Sequence, residues 1–91
     1  MKYYERIKGL REDQDLTQHQ IAEILNTSQS YYAQYENNKR QMPFDRAIEL
    51  ARFYNVSLDY IAGLTDTKRT LTSKEVKNER SNTNGNNRNN N

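Results

Sequence analysis

The sequence predicts an all-α protein, in which a five-helix orthogonal bundle over residues 1–67 is followed by a disordered tail over residues 68–91. Apolar residues recur at spacings of three and four throughout the first 67 residues, as on the buried faces of helices, and no alternating strand pattern interrupts them. The last 24 residues contain eight Asn and almost no apolar side chains. Such a segment cannot bury enough apolar surface to offset the entropy lost when it becomes ordered.

The first two helices follow from an apolar stripe and a capping box. Apolar residues spaced by four and then three predict a helix over Tyr3–Asp13. Thr17 caps a second helix over about 17–25, and Gln20, three positions later, completes a capping box. Asn26 ends this helix because Asn tolerates the left-handed conformation better than most residues.

Capping residues also define the remaining three helices. Ser28 caps a third helix over about 28–37, after a turn of only two residues. Pro43 suits the start of a fourth helix, and Ser57 and Gly63 are placed to begin and end a fifth. The apolar faces of the five helices predict a core made of Tyr3, Ile7, Leu10, Ile21, Leu25, Tyr32, Phe44, Leu50, Leu58 and Ile61.

Composition excludes several classes of function. The chain has no Cys and one His, which excludes a disulfide framework, a thiol nucleophile and nearly every closed metal site. It contains no pairing of a nucleophile with a base and no phosphate-binding Gly loop, so neither an enzyme activity nor a cofactor is predicted. Met1 is followed by charge, and no apolar run reaches the roughly 18 residues that a membrane-spanning helix needs. These absences predict a cytoplasmic protein with no membrane partner.

The folded part and the tail differ in charge. Residues 1–67 hold eight Lys and Arg against ten Asp and Glu, a net charge of −2, whereas residues 68–91 have a net charge of +4. The overall charge of +2 therefore derives from the tail. Three interpretations of the tail stay open: an inert solvated end, a basic arm that adds salt-sensitive affinity for nucleic acid, and a segment that becomes ordered on a partner.

Helices two and three, joined by a tight turn, predict a helix-turn-helix, whose second helix can enter the major groove of DNA. With Tyr32 and Tyr35 turned inward, the third helix presents an outward set that is polar and uncharged. This set comprises Gln29, Ser30, Tyr31, Ala33 and Gln34. Gln can bond to adenine N6 and N7 together, and Ser can bond to several base edges. A helix that is merely solvated would more often present Glu and Lys.

Two stretches of the chain resemble a known family. Residues 16–40 (LTQHQIAEILNTSQSYYAQYENNKR) and 47–64 (AIELARFYNVSLDYIAGL) resemble the phage repressor/Cro and xenobiotic-response-element-type regulators, over about residues 5–66. The resemblance implies a lambda-repressor-like fold and a sequence-specific, double-stranded-DNA-binding transcriptional regulator. Because about 67 folded residues leave no room for an effector-binding domain, we expect a repressor that occludes a promoter, with no small-molecule effector.

The resemblance also implies roles for individual residues. The residues expected to contact bases are Gln29, Ser30, Gln34 and Tyr31, of which Tyr31 could instead reach a phosphate. Those expected on DNA phosphates are Thr17, Gln18, Asn37, Lys39 and Arg40. Arg11 and Glu36 match a pair that forms a buried salt bridge in relatives. The chain departs from the family pattern at Asn26 and Asn38, where relatives commonly have Gly, and we expect both turns to survive this change.

Relatives often pair through the fifth helix, so Tyr60 and Leu64 are candidate dimer contacts, with packing at the edge of the core as the alternative for Tyr60. A two-fold dimer would bind a palindromic operator with half-sites about one helical turn, roughly 34 Å, apart. The alternative function is a protein-interaction module on the same fold, such as an antitoxin or an anti-regulator partner. The net negative charge of residues 1–67 favours this alternative.

Overall fold

The computed structural model describes residues 1–68, so the predicted disordered tail lies outside the described residues from position 69 onward. The described part contains five helices and no strand. The helices are α1 (Tyr3–Asp13), α2 (Gln18–Ile24), α3 (Gln29–Glu36), α4 (Phe44–Tyr54) and α5 (Leu58–Ala62). The predicted five-helix, all-α architecture is therefore confirmed.

Side-chain caps begin the helices where the sequence predicts them. Thr17 Oγ1 accepts a hydrogen bond from the Gln20 backbone N–H at 3.1 Å, and Gln20 Oε1 accepts one from the Thr17 N–H at 2.8 Å. The hydroxyl oxygens of Ser28 and Ser57 accept from the backbone N–H three residues later, each at 3.1 Å. The predicted bounds of α2 and α3 are one residue too long at each end because they include the capping residues themselves.

Left-handed residues end several helices and turn the chain. Asn26 and Asn38 have φ angles of 59° and 56°, as expected from residues that replace Gly at these turns. Asp15 and Asn55, both at 57°, adopt the same conformation, although the sequence analysis does not assign it to them. Gly63 has a φ of 82°, and a Cβ atom there would collide with the carbonyl oxygen of Met1.

The core is formed where the helices meet. Helix α1 packs against α3 and α5, α2 packs against α3, and α4 packs against α5. The buried apolar residues are Ile7, Leu10, Ile21, Ala22, Leu25, Tyr32, Tyr35, Leu50, Ala51, Tyr54, Val56 and Ile61. Leu16, Met42, Ala47, Leu58 and Tyr60 pack against them from partly buried positions.

Four residues of the predicted core need correction, and one of them is Leu58, which is only partly buried. Phe44, the first residue of α4, is 68% exposed, because it lines an open groove at the surface and does not enter the core. Tyr3 is only half-buried, and its hydroxyl accepts a hydrogen bond from the Met42 backbone N–H at 3.1 Å. Tyr32, expected to keep its hydroxyl at the edge of the core, is fully buried and donates to Glu36 at 2.6 Å.

Candidate nucleic-acid interface

A short turn joins α2 and α3, and it is stabilised by its own capping residues and by a side chain of α4. Leu25 caps the C-terminus of α2, Asn26 takes the left-handed conformation, and Ser28 begins α3. Arg46, on α4, donates a hydrogen bond from Nη1 to the Leu25 carbonyl oxygen at 2.8 Å. A cation on the last carbonyls of a helix both satisfies them and stabilises the helix dipole. Arg46 thus fixes the turn, a role that no local pattern in the sequence indicates.

The two faces of α3 differ as predicted. Tyr32 and Tyr35 are fully buried, and their rings meet edge to face at a centroid distance of 6.1 Å. On the opposite face Gln29, Ser30 and Tyr31 are exposed, while Ala33 and Gln34 are half-buried. The structure therefore brings the predicted base-contacting residues together on one outward surface of α3.

Arg11 and Glu36 form a bidentate ion pair between α1 and the end of α3. Arg11 Nε and Nη2 donate to the two carboxylate oxygens of Glu36 at 2.8 and 3.0 Å. Arg11 Nη1 also donates to the Leu16 carbonyl oxygen at 2.8 Å. The Glu36 side chain is 1% exposed and that of Arg11 is 12% exposed. The pair thus connects α1 with α3 and with the segment that precedes α2.

The buried carboxylate accepts four hydrogen bonds in all. Besides the two from Arg11, Glu36 receives one from the Tyr32 hydroxyl at 2.6 Å and one from Gln18 Nε2 at 3.1 Å. Burial alone would raise the pKa of Glu36. The hydrogen bonds and the charge of Arg11 outweigh that effect and hold the pKa below its usual range. Burial raises the pKa of Tyr32, and its hydrogen bond to the carboxylate raises it further, so the hydroxyl remains a donor.

Gln18 connects this buried pair to the outward face of α3. Its Nε2 donates to Glu36, and its Oε1 accepts from Gln29 Nε2 at 3.0 Å. Gln18, expected on a DNA phosphate, and Gln29, expected on a base, are thus already hydrogen-bonded to each other. The exposed side chain of Gln29 is therefore held by a hydrogen bond from the neighbouring helix α2. No local pattern in the sequence indicates this connection.

The loop after α3 folds back onto the same surface. The backbone N–H groups of Lys39 and Arg40 donate to the Gln34 carbonyl oxygen at 2.8 and 3.3 Å. The Arg40 guanidinium carbon lies 4.6 Å from the centroid of the Tyr31 ring, and Arg40 Nε donates to Gln34 Oε1 at 3.3 Å. Arg40 is thus positioned by two residues that the sequence analysis assigns to base contacts.

The other residues expected on phosphates lie outside α3. Thr17 caps the N-terminus of α2, and the exposed Asn37 and Lys39 follow the end of α3. Between residues 17 and 40 the sequence has two acidic residues, Glu23 and the buried, paired Glu36. The net negative charge of residues 1–67 therefore lies mostly outside this surface.

The two candidate dimer residues have different environments. Tyr60 is half-buried, and the guanidinium of Arg6 lies 3.8 Å from the centroid of its ring. Arg6, itself 5% exposed, also donates to the Thr65 carbonyl and to Asp66 Oδ1, which ties the segment after α5 to α1. Leu64, in contrast, is 79% exposed.

Neither a membrane span nor a metal site is evident in the described part of the chain. Within residues 1–68, every helix is too short or too polar to cross a bilayer. Among the same residues, no three His, Asp or Glu side chains come together as metal ligands would.

Comparison with known proteins identifies the family. The sequence profile described as Helix-turn-helix matches residues 7–61, which include the whole of α2, α3 and α4. The chain belongs to the helix-turn-helix family. The match agrees with the resemblance found from residues 16–40 and 47–64.

Members of this family with similar sequences are named as transcriptional regulators. The chain is 44% identical over 64 residues to the uncharacterized HTH-type transcriptional regulator YobD of Bacillus subtilis, covering 70% of this chain and 57% of YobD. It is 35% identical over 63 residues to the HTH-type transcriptional regulator ImmR of the same organism, covering 69% of this chain and 50% of ImmR. The chain thus spans about half the length of the curated relatives it matches.

A solved structure also shares the fold. The crystal structure of a transcriptional regulator from Listeria innocua superposes with a TM-score of 0.68 at 25% sequence identity. The superposition covers 89% of this chain and 79% of the other. The chain therefore shares its overall fold with an experimentally determined transcriptional regulator.

Proposed function

We propose that the protein is a sequence-specific, double-stranded-DNA-binding transcriptional regulator that inserts α3 into the major groove. The observation on which this rests is the exposed, uncharged, hydrogen-bonding end of α3 formed by Gln29 and Ser30. One amide N–H of Gln29 donates to Gln18, which leaves the other N–H and the carbonyl oxygen for an adenine edge. The helix-turn-helix family and the regulators named above support the proposal.

Phosphate contacts position such a helix on the duplex. Two regions adjoin the proposed recognition helix. One is the N-terminus of α2, with Thr17 and Gln18, where Gln18 is hydrogen-bonded to Gln29. The other is the loop after α3, with Lys39 and Arg40, where Arg40 is hydrogen-bonded to Gln34. Backbone N–H groups at a helix N-terminus favour an anion, and the two cations of the loop add charge. We assign these two regions to the phosphates that flank the bases contacted by α3.

A homodimer would place two copies of α3 in successive major grooves. An open apolar groove of about 570 Å³ adjoins α5, and its rim includes the exposed Phe44 and Leu64. Large exposed apolar side chains beside a groove are typical of an interaction surface. Because Tyr60 already packs against Arg6, we assign the dimer contact to Leu64 and Phe44 rather than to Tyr60. The operator would then be palindromic.

Repression is the regulatory outcome that this architecture supports. A DNA-binding unit over residues 1–67 needs no further domain to block a promoter, because an occupied operator excludes the polymerase sterically. Residues 68–91, with their net charge of +4, would add sequence-independent attraction to DNA that weakens with salt.

A binding selection with the full chain on randomised duplex DNA tests the function. We expect a palindromic sequence to be enriched. The variant Gln29→Ala should lose roughly 5- to 150-fold in affinity for that sequence, as one bidentate base contact would account for. Gln14→Ala, which removes an exposed amide at the end of α1, is the matched control and should bind normally.

Failure to enrich any sequence would contradict the proposal. In that case a search for a protein partner at the groove beside α5 would follow, since an interaction module on this fold is the alternative function. The dimer is tested separately by sedimentation. Leu64→Ser should shift the protein towards monomers, whereas Ile24→Ser, at another exposed aliphatic residue, should not.

A further inference from the structure

We propose that Tyr31, Gln34 and Arg40 form a phosphate clamp, in which Tyr31 and Gln34 hold Arg40 on the DNA backbone and do not themselves contact bases. The inference rests on the proposed DNA-binding function. It divides the outward face of α3 in two, with Gln29 and Ser30 contacting bases at the N-terminal end. The phosphate clamp then holds the backbone at the C-terminal end.

Two side-chain contacts position the Arg40 guanidinium. Its guanidinium lies over the Tyr31 ring at 4.6 Å, and its Nε is hydrogen-bonded to Gln34 Oε1 at 3.3 Å. Both contacts leave the two terminal nitrogens of the guanidinium, with their four N–H groups, available to a ligand. A planar guanidinium with two free nitrogens matches the paired oxygens of a phosphate.

The Tyr31 ring is itself positioned by contact with a buried aromatic ring. The Tyr31 ring meets the buried Tyr35 ring edge to face at 5.8 Å, and Tyr35 in turn meets Tyr32 at 6.1 Å. A row of three aromatic rings therefore runs from the buried Glu36 network to the surface, and Arg40 lies at its outer end. The backbone of residues 39 and 40 is hydrogen-bonded to the end of α3 as well. Arg40 is thus held by its own backbone and by two side chains.

The amide oxygen of Gln34 is already engaged in a hydrogen bond. An adenine contact by Gln uses the amide oxygen and an amide N–H together. In Gln34 the oxygen is already engaged by the charged Nε–H of Arg40, whereas in Gln29 the oxygen is free. Gln34 is also half-buried, unlike Gln29. Its amide is therefore better suited to orient Arg40 than to recognise a base.

Affinity measured at several salt concentrations on the enriched operator and on an unrelated duplex tests the phosphate clamp. Arg40→Gln should weaken binding to both duplexes alike and reduce the salt slope by about one, as expected for the loss of one phosphate contact. Arg52→Gln, which removes an exposed Arg on α4, is the matched control. It should leave both the affinity and the slope unchanged.

Tyr31 should act only through Arg40. Tyr31→Leu should weaken binding roughly two- to fivefold, as expected for the loss of a cation–π contact at an exposed site. Tyr31→Phe, which keeps the ring, should bind like the wild type. Adding Tyr31→Leu to Arg40→Gln should cause no further loss, and neither Tyr31 variant should change the enriched sequence.

Three outcomes would overturn the phosphate clamp while leaving the proposed function intact. These are an equal loss in Tyr31→Phe and Tyr31→Leu, an additive loss in the double variant, and a changed consensus sequence in Tyr31→Leu or Gln34→Ala. The wild-type selection itself distinguishes failure of the proposed function, because it then enriches no sequence.

The contact can also be checked without DNA. Proton NMR of the free protein should show the Arg40 side-chain resonances shifted upfield by the Tyr31 ring. The shift should persist in Tyr31→Phe and disappear in Tyr31→Leu. Unshifted Arg40 resonances in a folded wild-type protein would refute the phosphate clamp whatever the DNA affinity.

Discussion

Replacing Arg11 with Met would leave the Glu36 carboxylate buried without its countercharge. Glu36 would lose two of its four hydrogen bonds, and the Leu16 carbonyl would lose its donor. At 1% exposure the carboxylate cannot recover these interactions from water. Breaking one side of a buried ion pair costs about 3–5 kcal/mol. Because small domains have a free energy of unfolding of about 5–15 kcal/mol, Arg11→Met should remove a large part of it.

The loss should depend on pH in a definite direction. In the wild type the folded-state pKa of Glu36 is depressed, so its contribution is present above the unfolded-state pKa, about 4.3, and is lost as pH falls through the folded-state pKa. In Arg11→Met, burial would prevail and raise the folded-state pKa instead. As the pH falls, protonation of Glu36 then removes the uncompensated charge, so the variant loses less stability. The difference in stability between the two proteins should be largest near pH 7 and narrow towards pH 4.

Urea unfolding followed by circular dichroism at several pH values measures both effects. In a separate thermal unfolding experiment at neutral pH, the melting temperature of Arg11→Met should fall by at least about 12 °C, taking roughly 4 °C per kcal/mol for a domain of this size. Arg52→Met, at an exposed position, should change the free energy of unfolding by less than about 0.5 kcal/mol. Adding Glu36→Gln to Arg11→Met should restore part of the stability by removing the uncompensated charge. A loss of free energy of unfolding below about 1 kcal/mol in Arg11→Met, constant across pH, would show that Glu36 does not depend on Arg11 for its countercharge.

Three further predictions concern buried hydroxyls, the end of α5 and the tail. Tyr54→Phe removes a buried hydroxyl without a hydrogen-bond partner and should be neutral or stabilising, whereas Tyr32→Phe breaks a bond to a carboxylate and should cost about 1.5–3 kcal/mol in urea unfolding. Gly63→Ala should lower the melting temperature, because its positive φ and the nearby Met1 carbonyl both oppose a Cβ atom; an unchanged melting temperature would contradict this account. Replacing all Lys and Arg within residues 68–91 by Gln should weaken binding to the operator and to unrelated duplex DNA by a similar factor and reduce the salt slope on both. A loss confined to the operator would argue against a purely nonspecific contribution.

Helix order and helix ends could be predicted because they depend on neighbours in the sequence. Thr17, Ser28 and Ser57 each accept a hydrogen bond from a backbone N–H only three residues away. The left-handed turn at Asn26 likewise reflects the preference of a single residue. Asn55 could have been assigned by the same argument, since it directly follows the apolar stripe of α4. Capping and backbone preference act locally, so the sequence contains them directly.

The sequence predicts which residues form the candidate surface but not which hydrogen bonds these residues make. Helical spacing places Gln29, Ser30 and Gln34 outward, because burial of Tyr32 and Tyr35 fixes the rotation of α3. Helical spacing does not indicate that the Gln29 amide is hydrogen-bonded to α2 or that the Gln34 amide is hydrogen-bonded to the loop after α3. These bonds depend on side-chain rotamers and on how closely the elements approach each other.

The five helices, their caps and the two faces of α3 follow from residue type and helical period, so they can be predicted from the amino-acid sequence. In contrast, the burial of Arg6 against Tyr60 and its bond to Asp66, sixty residues along the chain, follow from how distant elements pack together. The exposure of Phe44, although it continues the apolar stripe of α4, has the same origin. Whether a side chain is covered depends on which distant element packs over it. Periodicity within one helix does not contain that information.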